Sequence, residues 1–196
     1  ATARDAGATH AVLEVSSHAL DQRRCDGLSF DAGIFTNLTG DHLDYHKSME
    51  AYGNAKRRLF ESLSAVAVAV VNADDPMGTY MASATDAQVM TYGLEAPGTD
   101  VSARIKGMGP RGTRLAVKLR SLELDIESAL IGRHNVLNVL AATAASWGLG
   151  VAPEAIRRGI ENIKGVPGRL QRAEPDGCPF SVLVDYAHTD DALKNV

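Results

Sequence analysis

Ala65 to Val71 is an unbroken apolar run, AVAVAVV, closed by the polar turn Asn72-Ala73-Asp74-Asp75-Pro76. It has the length of a strand and falls far short of the about 20 residues that cross a bilayer. Its neighbours repeat the theme. Ala32 to Thr36 and Gln88 to Tyr92 are further short strand-like runs, and His10 to Val15 is another, ending in Glu14 and Ser16-Ser17. Between them lie helical patterns. Ser48 to Leu63 places Met49, Tyr52, Leu59, Phe60 and Leu63 largely on one side, with Ser48 as its N-cap, and a second helix is expected near Met77 to Ala84. Strand and helix in alternation argue for an α/β fold with a mostly parallel sheet flanked by helices. In such sheets ligands bind at the carboxyl ends of the strands, which is where Glu14 is expected.

The middle of the chain changes character. Val101 to Lys106, Thr113 to Leu119 and Glu123 to Leu130 are three strand-like runs in near alternation of apolar and polar residues, which predicts a small antiparallel subsheet with one wet face. His134 to Trp147 and Ala152 to Ile163 are strong helices, the second opened by Pro153. Phe180 to Val184 is expected as a last strand, ending at Asp185-Tyr186-Ala187-His188.

A chain of 196 residues with 45% hydrophobic and 22% charged residues has the make-up of a soluble globular domain. The net charge of -4 argues against a general nucleic-acid binder. Cys25 and Cys178 are too few for a disulfide scaffold or a four-thiolate zinc site and fit reduced thiols in the cytoplasm. No apolar run reaches the length of a membrane span, and no signal segment opens the chain. Ala1 to Gly7 reads as the tail of a helix and Lys194-Asn195-Val196 falls inside another, so the chain is expected to be a piece of a longer protein.

Taken as chemistry alone, several groups admit two readings. Glu14 is a reasonable magnesium ligand and His42, in Gly40-Asp41-His42-Leu43-Asp44, a less usual one; separate structural roles are the alternative. Lys56, followed by Arg57 and Arg58, is either a solvated helix face or an amine kept neutral by burial and neighbouring positive charge. Ser16 and Ser17 suit a helix cap, and no G-x-S-x-G elbow surrounds them. Gly132-Arg133-His134-Asn135 is a helix start preceded by glycine, which suits an anion or a plain cap.

Glu14-Val15-Ser16-Ser17-His18, Gly40-Asp41-His42-Leu43-Asp44-Tyr45-His46, Ala55-Lys56, Gly132-Arg133-His134-Asn135-Val136-Leu137-Asn138, Gly168-Arg169-Leu170 and Asp185-Tyr186-Ala187-His188 together resemble the Mur ligase family, in its MurE type. The resemblance implies an ATP-dependent acid–amino-acid ligase of peptidoglycan precursor synthesis. Such an enzyme joins meso-diaminopimelate or L-lysine to UDP-N-acetylmuramoyl-L-Ala-D-Glu through an acyl phosphate. It implies Mg2+ held by Glu14, His42 and Lys56, the last carried as the N6-carboxylysine carbamate, with Lys56 and His42 catalytic. It implies substrate contacts from Ser16, Gln22 and Arg24; the adjacent Arg23 is expected to face solvent. ATP would meet His134, Asn138, Arg169 and Asp185. Residues 1–185 would be most of the central ATP-binding domain, truncated on its N-terminal side. Residues 186–196 would begin the linker to a C-terminal ligase domain, with Asp190 where the family usually has proline. The chain contains no G-x-x-x-x-G-K-[ST] phosphate loop, which the family carries upstream of Glu14, so the piece alone is expected to be inactive. The parent is expected to be a cytoplasmic monomer with no nucleic-acid or membrane partner. The rivals are another ligase of the superfamily, such as the folylpolyglutamate or cyanophycin type, and a non-catalytic binding module that keeps the fold.

Overall fold

The computed structural model describes residues 2–39, 43–174, 178–188 and 193. In chain order the elements are α1 (Thr2–Asp5), α2 (Ser17–Asp21), β1 (Ala32–Phe35), α3 (Leu43–His46), α4 (Met49–Glu61), β2 (Val68–Asn72), α5 (Gly78–Ala82), β3 (Gln88–Gly93), β4 (Val101–Gly109), β5 (Gly112–Leu119), β6 (Leu122–Ser128), α6 (Arg133–Gly148), α7 (Pro153–Asn162), β7 (Gln171–Arg172) and β8 (Leu183–Val184). Strands β1 to β6 make one six-stranded sheet in sequential order, and β7 pairs with β8 apart from it. The pairs β1–β2, β2–β3 and β3–β4 are parallel, and β4–β5 and β5–β6 are antiparallel. The antiparallel strands expected in the middle of the chain are therefore the far edge of the main sheet.

Parallel neighbours normally need a crossover of a dozen or more residues, yet only the short segment 94–100 joins β3 to β4. Register explains this. The two strands overlap only at Tyr92↔Val101 and Gly93↔Ser102, so β4 starts beside the end of β3 and runs on past it. The chain has almost no axial distance to recover.

The sheet is covered on both faces. Val68 and Val70 of β2 join a core with Val136, Val139, Leu140 and Ala144 of α6, while Ala69 and Val71 join Phe60 of α4 and Met81 of α5 on the other side. This two-sided burial is why β2 reads as a continuous apolar run. Small residues let α6 sit close: a Cβ on Gly148 would lie 2.7 Å from Val68 Cγ1. Fully burying a side chain such as Phe60 or Leu140 stabilises by about 1.5–3 kcal/mol. Helix α4 starts where Ser48 Oγ accepts the Ala51 N–H at 3.1 Å. Helix α7 has Pro153 in its first turn and buries Ile156 and Ile160, one turn apart.

Three expectations are corrected. His10 to Val15 is not a strand: it pairs with no strand among the described residues, and Val12 is 95% exposed. An apolar run becomes a strand only when a neighbour takes its backbone hydrogen bonds. Phe180 to Val184 shrinks to the two residues of β8, exposed, because no helix or sheet face among the described residues covers it. The run at Ala65 enters the sheet only at Val68, after a turn in which the Ala67 N–H bonds Ser64 O at 2.9 Å and Val66 stays outside.

Candidate functional site at the carboxyl edge of the sheet

The turn after β2 organises the carboxyl edge of the parallel strands. Asn72 Nδ2 donates to Thr36 O at 2.7 Å, just past the end of β1, and Asn72 Oδ1 accepts the Asp74 N–H at 3.0 Å. The Asp75 carboxylate accepts Leu38 N–H at 2.9 Å and Met77 N–H at 2.8 Å. The Asp74 carboxylate accepts three successive N–H groups after β3: Leu94 at 2.7 Å, Glu95 at 3.0 Å and Ala96 at 2.7 Å. Glu95 in turn pairs with Arg133 at the start of α6. One short turn thus holds the loops after β1 and β3 and, through Glu95, the N-terminus of α6. Sequence reasoning saw these residues only as a turn. The available signal was three side chains able to accept hydrogen bonds directly after the most apolar strand.

The expected substrate residues lie on and after α2. Ser16 Oγ caps that helix through the Ala19 N–H at 3.2 Å. The helix ends in a Schellman arrangement: Arg24 N–H bonds Ala19 O at 2.8 Å and Arg23 N–H bonds Leu20 O at 3.2 Å. Arg23 takes the left-handed position, φ 55°, that glycine usually fills. It points outward, its side chain 80% exposed and 3.9 Å from Asp26. Gln22 Nε2 donates to Tyr45 Oη at 3.5 Å, and Tyr45 Oη donates to Asp21 Oδ2 at 2.9 Å. Arg24 is exposed, as is Glu14 in the irregular segment before α2.

Lys56 is half-buried in the middle of α4, its Nζ 5.2 Å from the centroid of the Tyr52 ring. The two arginines that follow it are both engaged in ion pairs. Arg57 bonds Glu61 at 3.0 Å and lies 4.4 Å over the Tyr80 ring, and Arg58 pairs with Asp21 at 3.2 Å. His42 lies outside the described residues. Among the described residues no three His, Cys, Asp or Glu side chains form a metal-binding cluster. The expected magnesium donors would be a carboxylate, an imidazole and a carbamate brought from separate segments.

Three of the residues expected to serve a nucleotide, His134, Arg169 and Asp185, lie near one another. Gly132, φ 93°, opens α6, and a Cβ there would lie 2.8 Å from His134 Cε1 and 3.0 Å from Leu170 Cδ1. The Asp185 carboxylate accepts Leu170 N–H and Ala187 N–H, each at 2.7 Å, and Tyr186 N–H bonds Gly168 O at 2.9 Å. Arg169 lies 5.8 Å over the Tyr186 ring. The Leu170 N–H is the main cause that holds the Asp185 carboxyl below its ordinary range. Partial burial opposes it, and the Ala187 N–H, Arg169 and His134 add to it. His134 Nδ1 is buried with no hydrogen-bond partner among the described residues. Asn138 is exposed one turn further along α6 and donates to Asn135 Oδ1 at 3.3 Å. A long helix N-terminus, an arginine and an unsatisfied imidazole nitrogen suit a phosphorylated ligand.

Cys25 and Cys178 are both free thiols, and no helix among the described residues is long and apolar enough to cross a membrane. Residues 1–146 match the Mur ligase middle domain. The chain is 49% identical, over 98% of its length, to the UDP-N-acetylmuramoyl-L-alanyl-D-glutamate--2,6-diaminopimelate ligase of Geobacter metallireducens, of which it spans 38%. It is 46% identical, over 97% of its length, to the protein of the same name from Solibacter usitatus, of which it spans 39%. A solved structure of a ligase of that name superposes with a TM-score of 0.82 at 35% identity, over 96% of this chain and 39% of the other. The chain therefore spans well under half the length of the curated relatives it matches.

Proposed function

Because the chain belongs to the Mur ligase family through its middle domain, we propose that it is the central part of an ATP-dependent ligase of peptidoglycan precursor synthesis. The parent adds a diamino acid to UDP-N-acetylmuramoyl-L-Ala-D-Glu. The observation that carries this reading is the 49% identity, across 98% of the chain, to a protein named as a 2,6-diaminopimelate ligase. The names of the relatives favour diaminopimelate over lysine as the amino acid. Residues 1–185 are the central domain, and 186–196 begin the connection to a following domain. The parent works in the cytoplasm as a monomer.

The reaction has two steps. The D-Glu γ-carboxylate takes the γ-phosphoryl group of ATP, giving an acyl phosphate and ADP. The amine of the diamino acid then attacks the acyl carbon, the amide forms, and phosphate and a proton leave. Positioning and charge neutralisation are what a protein contributes to such a transfer.

His134, Asn138, Arg169 and Asp185 receive ATP. The buried, unpartnered Nδ1 of His134 offers a polar atom to the nucleotide, and Arg169 carries the cation for its phosphates. Asp185 holds the Arg169-Leu170 turn by its backbone contact, so it acts by fixing where that arginine stands. Ser16, Gln22 and Arg24 bind the UDP-dipeptide, with Arg24 suited to a carboxylate or phosphate. Glu14, His42 and carbamylated Lys56 form an oxygen-rich donor set with one imidazole, which fits a hard divalent cation that keeps several waters. When bound, magnesium supplies charge neutralisation for the phosphoryl oxygens.

The test is ADP release by the full-length protein that contains this chain, supplied with UDP-N-acetylmuramoyl-L-Ala-D-Glu and ATP. Turnover is expected with meso-diaminopimelate, with at most weak turnover on L-lysine. Lys56→Ala should abolish most of it, and short carboxylates added in trans should restore part by standing in for the carbamate. Turnover on a folate or on a cyanophycin primer instead would overturn the reading in favour of another superfamily ligase.

A further inference from the structure

Four side chains from three helices form a chain of contacts from the start of α2 to Lys56. Ser17 opens α2, His46 ends α3, and Tyr52 and Lys56 stand one turn apart on α4. His46 Nε2 and Ser17 Oγ are 2.8 Å apart, and both side chains are buried. The His46 ring lies nearly flat on Tyr52, with centroids 5.2 Å apart and planes at 15°. Tyr52 is buried too, and its face carries Lys56 Nζ at 5.2 Å. Tyr45 meets His46 edge-on at 4.8 Å, and His18 lies 5.4 Å from it. A buried imidazole with a hydroxyl on one nitrogen and aromatic rings against its face and edge is held in one orientation.

We propose that His46 is a positioning residue, resting on the ligase reading above: through Ser17 it fixes the α2 segment that binds the UDP-dipeptide, and through Tyr52 it fixes Lys56. The imidazole has two separable jobs. Its hydrogen bond places the start of α2, one residue after the Ser16 cap. Its ring face backs the tyrosine against which Lys56 lies. Neither His46 nor Tyr52 need meet a substrate for this.

Because the two jobs use different parts of one side chain, two substitutions separate them. His46→Phe keeps a ring on Tyr52 and deprives Ser17 of its partner. In the full-length protein it should raise the KM for the UDP-dipeptide about tenfold, the scale of one buried hydrogen bond, and leave kcat close to wild type. Ser17→Ala should reproduce that change, and the double variant should be no worse than either single one, as expected for partners in one interaction. His46→Gln keeps a hydrogen-bonding group but no ring. It should lower kcat and the carbamate signal seen by 13C NMR with labelled bicarbonate, with little change in the KM for the UDP-dipeptide. The KM for ATP should stay fixed in all of them.

If His46→Phe fails to fold, Ser17→Ala carries the first arm. A wild-type protein without turnover would overturn the ligase reading and this proposal with it. An active wild type in which His46→Phe and His46→Gln give the same profile, or in which only thermal stability falls, would overturn this proposal alone.

Discussion

Arg58 and Asp21 meet twice: the guanidinium Nη1 lies 3.2 Å from the Asp21 carboxylate and donates to the Asp21 carbonyl, also at 3.2 Å. The same nitrogen donates to Leu20 O at 3.4 Å. Arg58 therefore closes the C-terminal end of α2, where carbonyls have no helical partner and a cation is favoured. It does so from α4, the helix that carries Lys56. Both side chains of the pair are substantially exposed, so the Coulombic part is small and the carbonyl contacts carry more of the effect. Arg58→Ala should loosen α2 by roughly 1 kcal/mol, and the UDP-dipeptide should bind about fivefold more weakly. Calorimetry with the full-length protein checks this, and ATP affinity should not move.

Arg24 and Arg23 are adjacent and should behave oppositely. A charge-assisted contact from Arg24 to a substrate anion is worth about 1.5–3 kcal/mol, so Arg24→Ala should weaken the UDP-dipeptide about tenfold to a hundredfold. Arg23 occupies the left-handed position of the Schellman turn with its side chain in solvent. Arg23→Ala should leave binding nearly unchanged. Arg23→Gly should raise stability by about 1 kcal/mol, since glycine carries no penalty at positive φ. Equal binding losses at both positions would mean that the substrate lies elsewhere.

How much of this was readable in the chain depends on how local each feature is. Helix α4 with its Ser48 cap and the strands β2 to β6 came through, because periodicity and caps are written within one element. His10 to Val15 has the same apolar look as β2, yet lies exposed, since being a strand depends on a neighbour that no local pattern encodes. His134, Arg169 and Asp185 were each marked by a motif, but their proximity was not, because the loop carrying Arg169 and the start of α6 are far apart in sequence. The turn at Asn72, Asp74 and Asp75 was not legible, because its work is to accept N–H groups from loops far apart in sequence. His46 and Arg58 escaped for the same reason: each acts across the gap between α2 and α4.

Gly78 tests that turn from its packing side. A Cβ on Gly78 would stand 2.2 Å from the Asn72 carbonyl oxygen, a backbone atom that cannot swing away. Gly78→Ala should push α5 off the end of β2 and cost about 2–4 kcal/mol. Gly53→Ala is the control. Its Cβ would meet the end of the Met77 side chain at 2.9 Å, a flexible group, and alanine favours the helix. Denaturant melts should show a large loss of midpoint for Gly78→Ala and a small one for Gly53→Ala.

Asp185 makes stability depend on acid in a defined direction. Its carboxyl is held below the ordinary carboxylate value of about 3.9, first by the Leu170 N–H. A group with a lowered native pKa contributes stability that is complete above the unfolded value and is lost as pH falls through the native one. Asp185→Asn leaves an amide that accepts the Leu170 and Ala187 N–H groups less strongly and does not titrate. The variant should melt below wild type by a constant interval from about pH 8 to pH 5. The two curves should converge below about pH 4, as the wild-type carboxylate takes up its proton. A gap that stays constant down to about pH 3 would mean that the ionised carboxylate is not what holds the Arg169-Leu170 turn.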